Sequence, residues 1–312
     1  MRALRHLAIV TALVGAAPAT AQVTAFLQDA NIQKRANGLC ALVGYMVVPD
    51  VTTGSLGIHE SATLDPELKM SALGGGFTWS RETPLYLEGT AAYSHYNPSF
   101  AGEGDFSDRL PATWKTASLS GGIGWDFPIT AQLRFRPILN VSLGRLESSL
   151  DVPQREPAAG SGRALEFLRE GRLNMAGGGA SFMLDYEDYQ PEREIDAELR
   201  YSDIRLSSTS GTSEAVEGSA IARSASLWMR YRAPTGFTAL DRPVRYVLEY
   251  AVTRFMGDLD GVLGFNVLNS FGVGLELDSS ARDVFITRTR VVARYVVGNN
   301  VNGWSMGLAV SF

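Results

Sequence analysis

The chain ends Trp304-Ser305-Met306-Gly307-Leu308-Ala309-Val310-Ser311-Phe312. In an extended backbone Trp304, Met306, Leu308, Val310 and Phe312 fall on one face and Ser305, Gly307, Ala309 and Ser311 on the other, because successive side chains alternate. The same division recurs upstream. Val291, Ala293, Tyr295 and Val297 oppose Arg288, Arg290 and Arg294; Val267, Phe271, Val273 and Leu275, with Leu263 and Phe265 before them, oppose Gly272, Gly274 and Glu276. Tyr246, Leu248 and Tyr250 oppose Arg245 and Glu249, and Leu227, Met229 and Tyr231 oppose Trp228, Arg230 and Arg232. Ile195, Leu199 and Tyr201 oppose Asp196, Glu198 and Arg200, while Phe135, Leu139 and Val141 oppose Arg134 and Arg136. Each segment has one oily face and one of small or polar residues, and in most of them that second face carries arginine.

Twelve such segments can be placed, centred near residues 56, 74, 90, 120, 138, 179, 200, 226, 250, 270, 290 and 308. Short connections (Arg81 to Pro84, Pro128-Ile129, Glu187 to Pro191, Ser279 to Arg282) mostly alternate with long polar ones (Asn97 to Thr113, Glu147 to Glu170, Ser207 to Glu217). A soluble sandwich would turn scattered lysines outward, yet the chain has only Lys34, Lys69 and Lys115. An open sheet of a dozen strands would also expose its edges, whereas closure pairs every backbone group, as hydrocarbon requires. The expectation is an all-β fold: a transmembrane antiparallel barrel of about twelve strands over residues 45–312, with its short turns on the periplasmic side. Trp79, Tyr93, Trp125, Tyr186, Tyr201, Tyr231, Tyr246, Tyr295 and Trp304 lie mostly near strand ends on the oily face, where membrane interfaces favour amphipathic rings.

Composition agrees. The 312 residues are 45% hydrophobic and 20% charged with net charge −5, which excludes a disordered chain and a nucleic-acid binder working by bulk positive charge. Residues 1–21 read as a signal peptide: Arg2 and Arg5, an apolar stretch from Leu7 to Ala17, then Ala19-Thr20-Ala21 as the cleavage site. Export through such a leader, together with the barrel pattern, gives the bacterial outer membrane as the expected location. The lone Cys40 is expected to be apolar filler.

Residues 22–44 lack the two-residue period. Ile32, Ala36, Leu39 and Val43 recur at helical spacing, with Thr24 as N-cap and Gly44 as terminator, giving a helix of roughly 27 Å that can thread the lumen. Gly74, Gly76, Gly122, Gly124, Gly177, Gly179, Gly272 and Gly274 fall on the inward face, where missing side chains would let that helix approach. The pore-lining set is Arg134, Arg136, Arg200, Arg230, Arg232, Arg245, Arg288, Arg290 and Arg294 against Glu88, Asp185, Asp196, Glu198, Glu249 and Glu276. These charges are expected to pair across neighbouring strands and with Asp29, Lys34 and Arg35 of the helix. An arginine-lined passage for anions is the alternative.

A helix followed by about twelve alternating strands and the terminal segment Trp304 to Phe312 resembles the translocator domain of autotransporters, above all the solitary autotransporter-like β-barrels that lack a passenger. The resemblance implies that Trp304, Leu308, Val310 and Phe312 form the signal read by the barrel-assembly machinery, with periplasmic chaperones as further partners. It also implies a non-enzymatic, monomeric barrel with a structural or surface-interaction role. Only Gln22 and Val23 stand between the expected cleavage point and the helix, so no secreted passenger is expected, and the helix holds no paired-Asn self-cleavage site.

The sequence offers little catalytic or metal-binding chemistry. A rim lipid hydrolase would need a serine-histidine pair, but Ser94 and His95 are adjacent in a strand and so point to opposite faces. No cofactor is expected and no metal constellation stands out; Asp258 with Asp260 is a weak surface calcium candidate. Glu166 to Arg172 is expected to be a short charged helix decorating the longest loop.

Overall fold

The computed structural model describes residues 9–11, 25–26, 34, 36–38, 40–43, 54–60, 68–97, 99–101, 109–150, 163–261, 265–279, 287–299 and 301–311. Twelve strands carry the fold, and each contains one of the twelve centres expected from the alternation. They are β1 (Gly54–Glu60), β2 (Leu68–Thr78), β3 (Leu85–Tyr96), β4 (Arg109–Trp125), β5 (Leu133–Leu150), β6 (Arg172–Tyr189), β7 (Glu194–Ser208), β8 (Ser219–Ala239), β9 (Arg242–Gly257), β10 (Val267–Asp278), β11 (Arg288–Gly298) and β12 (Val301–Ser311).

Each strand pairs antiparallel with the next, and β12 pairs with β1 through Val301↔Glu60 to Met306↔Ser55, so the sheet closes on itself. The closing strand is held by short ladders: β1 meets β12 over Val301–Met306 and β2 over Leu68–Ala72. Beyond that reach, the short strand Ile9–Thr11 runs antiparallel to Leu308–Val310.

Closure sorts the side chains by parity. Leu139, Val141, Leu143, Val273 and Leu275 point outward, with Leu139 and Val141 still 68% and 65% exposed. Neighbours along the same strands, such as Arg136, Asn140 and Glu276, are buried inside. Trp79, Tyr93, Trp125, Tyr201, Tyr246, Tyr295 and Trp304 are outward and exposed, as expected. Phe265 departs from the expectation: it lies before β10, folds inward and is buried edge-on against Phe255, 5.5 Å between ring centroids.

One end of the barrel carries tight turns. Leu240 and Asp241 join β8 to β9 with φ of 51° and 56°, the left-handed pair that a two-residue hairpin requires. The opposite end carries the long loops, including the helix α2 (Arg163–Glu170). That helix is not solvated decoration. Phe167 and Leu168 are fully buried, and Ser148 Oγ donates to the Leu168 carbonyl at 3.0 Å, so α2 folds down over the loop end.

The N-terminal helix, α1, is described at residues 34, 36–38 and 40–43. The expected N-cap, Thr24, and the expected terminator, Gly44, lie outside the described residues. Ala25–Phe26, expected inside the helix, is a strand, parallel to Phe100–Ala101 of the β3–β4 loop, so α1 begins after Phe26.

Candidate functional site

Among the described residues, the lumen gathers most of the buried polar side chains. It is built in layers. At the loop end the inward positions are apolar: Met70 of β2, Tyr96 of β3, Trp114 of β4, Leu146 of β5, Met175 of β6, Ile204 of β7 and Phe255 of β9 form one buried cluster. Ala36, Cys40, Ala41, Leu42 and Val43 of α1 belong to the same cluster. Trp114 stands edge-on between Phe167 of α2 and Tyr96, with centroid distances of 5.8 and 6.3 Å. Burying side chains of this size from water stabilises by roughly 1.5–3 kcal/mol each.

Helix α1 meets the wall at Gly144. A Cβ there would come within 2.9 Å of both Val43 methyl groups, so the backbone of β5 can approach the helix only because residue 144 has no side chain. The eight glycines expected to serve that purpose serve another. Thr90 lies against Gly74, Tyr86 over Gly76, Glu88 over Gly122 and Arg294 beside Gly272. These four make room for side chains of adjacent strands laid across the wall, whereas Gly177 and Gly179 lie against the backbone of β7 at Arg205 and Asp203.

Below the apolar cluster is a layer of hydroxyls and amides. Ser181 Oγ lies 2.6 Å from Asn140 Oδ1 and 2.8 Å from Ser202 Oγ, and Ser226 and Thr253 are 3.0 Å apart. The turn end is ionic. All fifteen residues expected to line the pore face inward there or at mid-height: Arg134, Arg136, Arg200, Arg230, Arg232, Arg245, Arg288, Arg290 and Arg294, with Glu88, Asp185, Asp196, Glu198, Glu249 and Glu276.

Many of their pairs span the interior rather than adjacent strands. Glu88 of β3 takes the Arg200 guanidinium of β7 in a two-pronged contact at 2.7 and 2.8 Å, and also accepts from Asn140 at 2.7 Å. Glu194 of β7 holds Arg288 of β11 at 2.5 Å, Arg245 of β9 at 2.6 Å and Arg232 of β8 at 2.9 Å. Glu276 meets Arg290 at 3.2 Å and Arg232 at 3.3 Å, while Glu249 meets Arg294 at 2.6 Å. Arg136 is clamped between Asp126 and Asp185, the latter at 2.8 Å, with its guanidinium carbon 3.9 Å from the centre of the Tyr86 ring. Such pairs are dehydrated, so their attraction is largely offset by lost hydration and their main effect is to fix geometry.

The expected pairing with the helix is different. Lys34 is exposed and pairs with no described residue, while Asp29 and Arg35 lie outside the described residues. Phe312 does so too; Trp304, Leu308 and Val310 all stand on the outward face of β12, of which Trp304 is 56% exposed.

Four inward carboxylates escaped the sequence reading: Asp126, Glu187, Glu194 and Asp278. With them the inward face has no excess of arginine. Parity alone could have found Glu194, which shares the even-numbered face of Asp196 and Glu198; Asp126 sits in a turn, where alternation gives no signal.

Ser94 is buried and inward, whereas His95 is outward between Lys69 and Lys115, so the two do not assemble. Asp258 uses one carboxylate oxygen to accept the Ile221 amide at 2.7 Å. No group of three metal-ligating side chains occurs among the described residues.

No protein-family model matches the sequence, and no curated protein matches it. Among solved structures, the β-domain of the Bordetella autotransporter BrkA is similar at 13% identity, covering 83% of this chain and 95% of that one with a TM-score of 0.51. The transport unit of the autotransporter AIDA-I from Escherichia coli matches at 10% identity over 90% of this chain and 98% of that one, TM-score 0.47. The translocator domain of NalP from Neisseria meningitidis matches at 11% over 83% and 85%, TM-score 0.44. With twelve antiparallel strands closed into a ring and a short N-terminal helix, the chain has the fold of an autotransporter translocator β-barrel.

Proposed function

We propose that this protein is a non-enzymatic outer-membrane barrel of autotransporter-translocator type, exported through a cleaved leader, with a lumen that does not conduct. The outward belt of exposed leucine, valine and aromatic residues supports membrane residence, since a water-soluble surface would strand that area in solvent. The tight turns then face the periplasm and the long loops the exterior.

The filled lumen carries the reading: α1 and the apolar cluster take up the outer half, and the chords Glu88–Arg200 and Glu194–Arg288 cross the inner half. Balanced inward charge also argues against the arginine-lined anion passage. In planar bilayers the full-length protein is expected to give no steady current. Deleting residues 24–43 should produce only a small one, because the ionic half stays in place; a large steady current from the intact protein would overturn the proposal.

A further inference from the structure

The outward face carries cations where its apolar belt ends. Lys69 of β2, His95 of β3 and Lys115 of β4 stand opposite one another in register, and the row continues through Glu147 of β5 to Arg172 of β6. Directly paired positions on neighbouring strands are about 5 Å apart, so Lys69 and Lys115 flank His95 within roughly 10 Å. Lys69, Lys115 and Arg172 are exposed. The carboxylate of Glu147 is engaged by Arg145 at 2.7 Å, within its own strand.

Two features make this row more than a solvated fringe. The chain has three lysines, and two of them are here. Four residues further along the same strands, Leu73, Leu119 and Leu143 are outward and exposed, so the cations sit at the rim of an oily wall. Outward arginines also occur on β7, β8 and β9 (Arg205, Arg223 and Arg254), Arg223 being paired with Asp203 at 2.8 Å, whereas the outward positions Asn269, Val297 and Asn302 of β10 to β12 bring no charge. Both rim lysines therefore lie within the three strands β2–β4.

A ligand that fits both halves has anionic oxygens at the level of the lysines and acyl chains along the leucines. We infer that the loop-end rim of β2–β6 binds the phosphorylated headgroup of an outer-leaflet lipid, an inference that rests on the outer-membrane reading above. Ammonium groups attract phosphate as point charges with freely rotating donors, and His95 between them offers a ring N–H. The lipid would be held on one flank of the barrel.

The test uses the full-length protein purified in neutral detergent. Retention of a bis-phosphorylated, acylated glucosamine disaccharide is compared by native mass spectrometry with that of its dephosphorylated form, and inorganic phosphate is added as competitor. The protein is expected to retain the phosphorylated lipid at least about tenfold more tightly than the dephosphorylated one. The double variant K69Q/K115Q should lose that preference, while Arg193→Gln in the β6–β7 turn keeps it. Equal retention of both lipids, an unchanged preference in the double variant, or full displacement by millimolar phosphate would each overturn the lipid site. Heat-modifiable migration shows that each variant is folded. Membrane fractionation is read separately: protein in the outer membrane without the preference defeats only this site, and protein absent from that membrane defeats the reading beneath it.

Discussion

The two halves of the lumen are filled by opposite means. Near the loops, Trp114, Phe167, Met175 and Phe255 close around α1 as an oily cluster without charge; near the turns, arginines and carboxylates interlock. The first arrangement gains its stability from burial and tolerates small displacements. The second gains little net energy but demands that every partner be in place, because a stranded charge away from water is costly. A barrel with both has a deformable end and a rigid one.

The sharpest way to break that contrast is at Glu194. Glu194→Ala leaves Arg232, Arg245 and Arg288 without their shared carboxylate, and a loss of about 3–5 kcal/mol is expected, read as a lower urea midpoint of the detergent-folded protein. A loss below about 1 kcal/mol would mean that the ionic half is dispensable. In the oily half, Trp114→Ala opens a cavity beneath α2 and should cost about 3 kcal/mol, while leaving the Glu88–Arg200 pair intact.

Cys40 reports on the oily half without any substitution. Burial, with a smaller contribution from Asp258, pushes its thiol up to about 12. At pH 8 only about one thiol in ten thousand would be ionised, so maleimide labelling of the folded protein should be very slow and become fast on unfolding. Gly144→Leu intrudes on Val43 and should accelerate labelling at least about tenfold by displacing α1. Rapid labelling of the unaltered protein would show that the helix does not stay in the cluster.

Smaller effects mark the regions outside the contrast. Replacing Leu240-Asp241 by Asn-Gly suits the left-handed backbone there and should stabilise by about 0.5–1 kcal/mol in the same urea titration. His95→Ala should change stability by less than about 0.5 kcal/mol, since its side chain lies on the outward face away from both halves.

The strands, their faces and their order were legible because a two-residue period survives wherever one face is oily and the other charged. It fades at the loop end, where Tyr96, Trp114, Met175 and Phe255 make the inward face apolar as well, and this is why the oily cluster was not foreseen. The ion pairs were only half legible. Parity put Glu88 and Arg200 inward, but they are 112 positions apart, and only the curvature of the closed sheet brings them together. The helix was read too long because apolar spacing cannot register that Ala25–Phe26 has a strand to pair with.

The short ladders on either side of β1 make it the clasp of the ring. Every other ladder of the ring runs over ten or more residues, whereas Gly54–Glu60 is fastened only along Leu68–Ala72 and Val301–Met306. Thermal breathing therefore begins there, its amides exchange with deuterium first, and the bracelet comes apart at that link before any other.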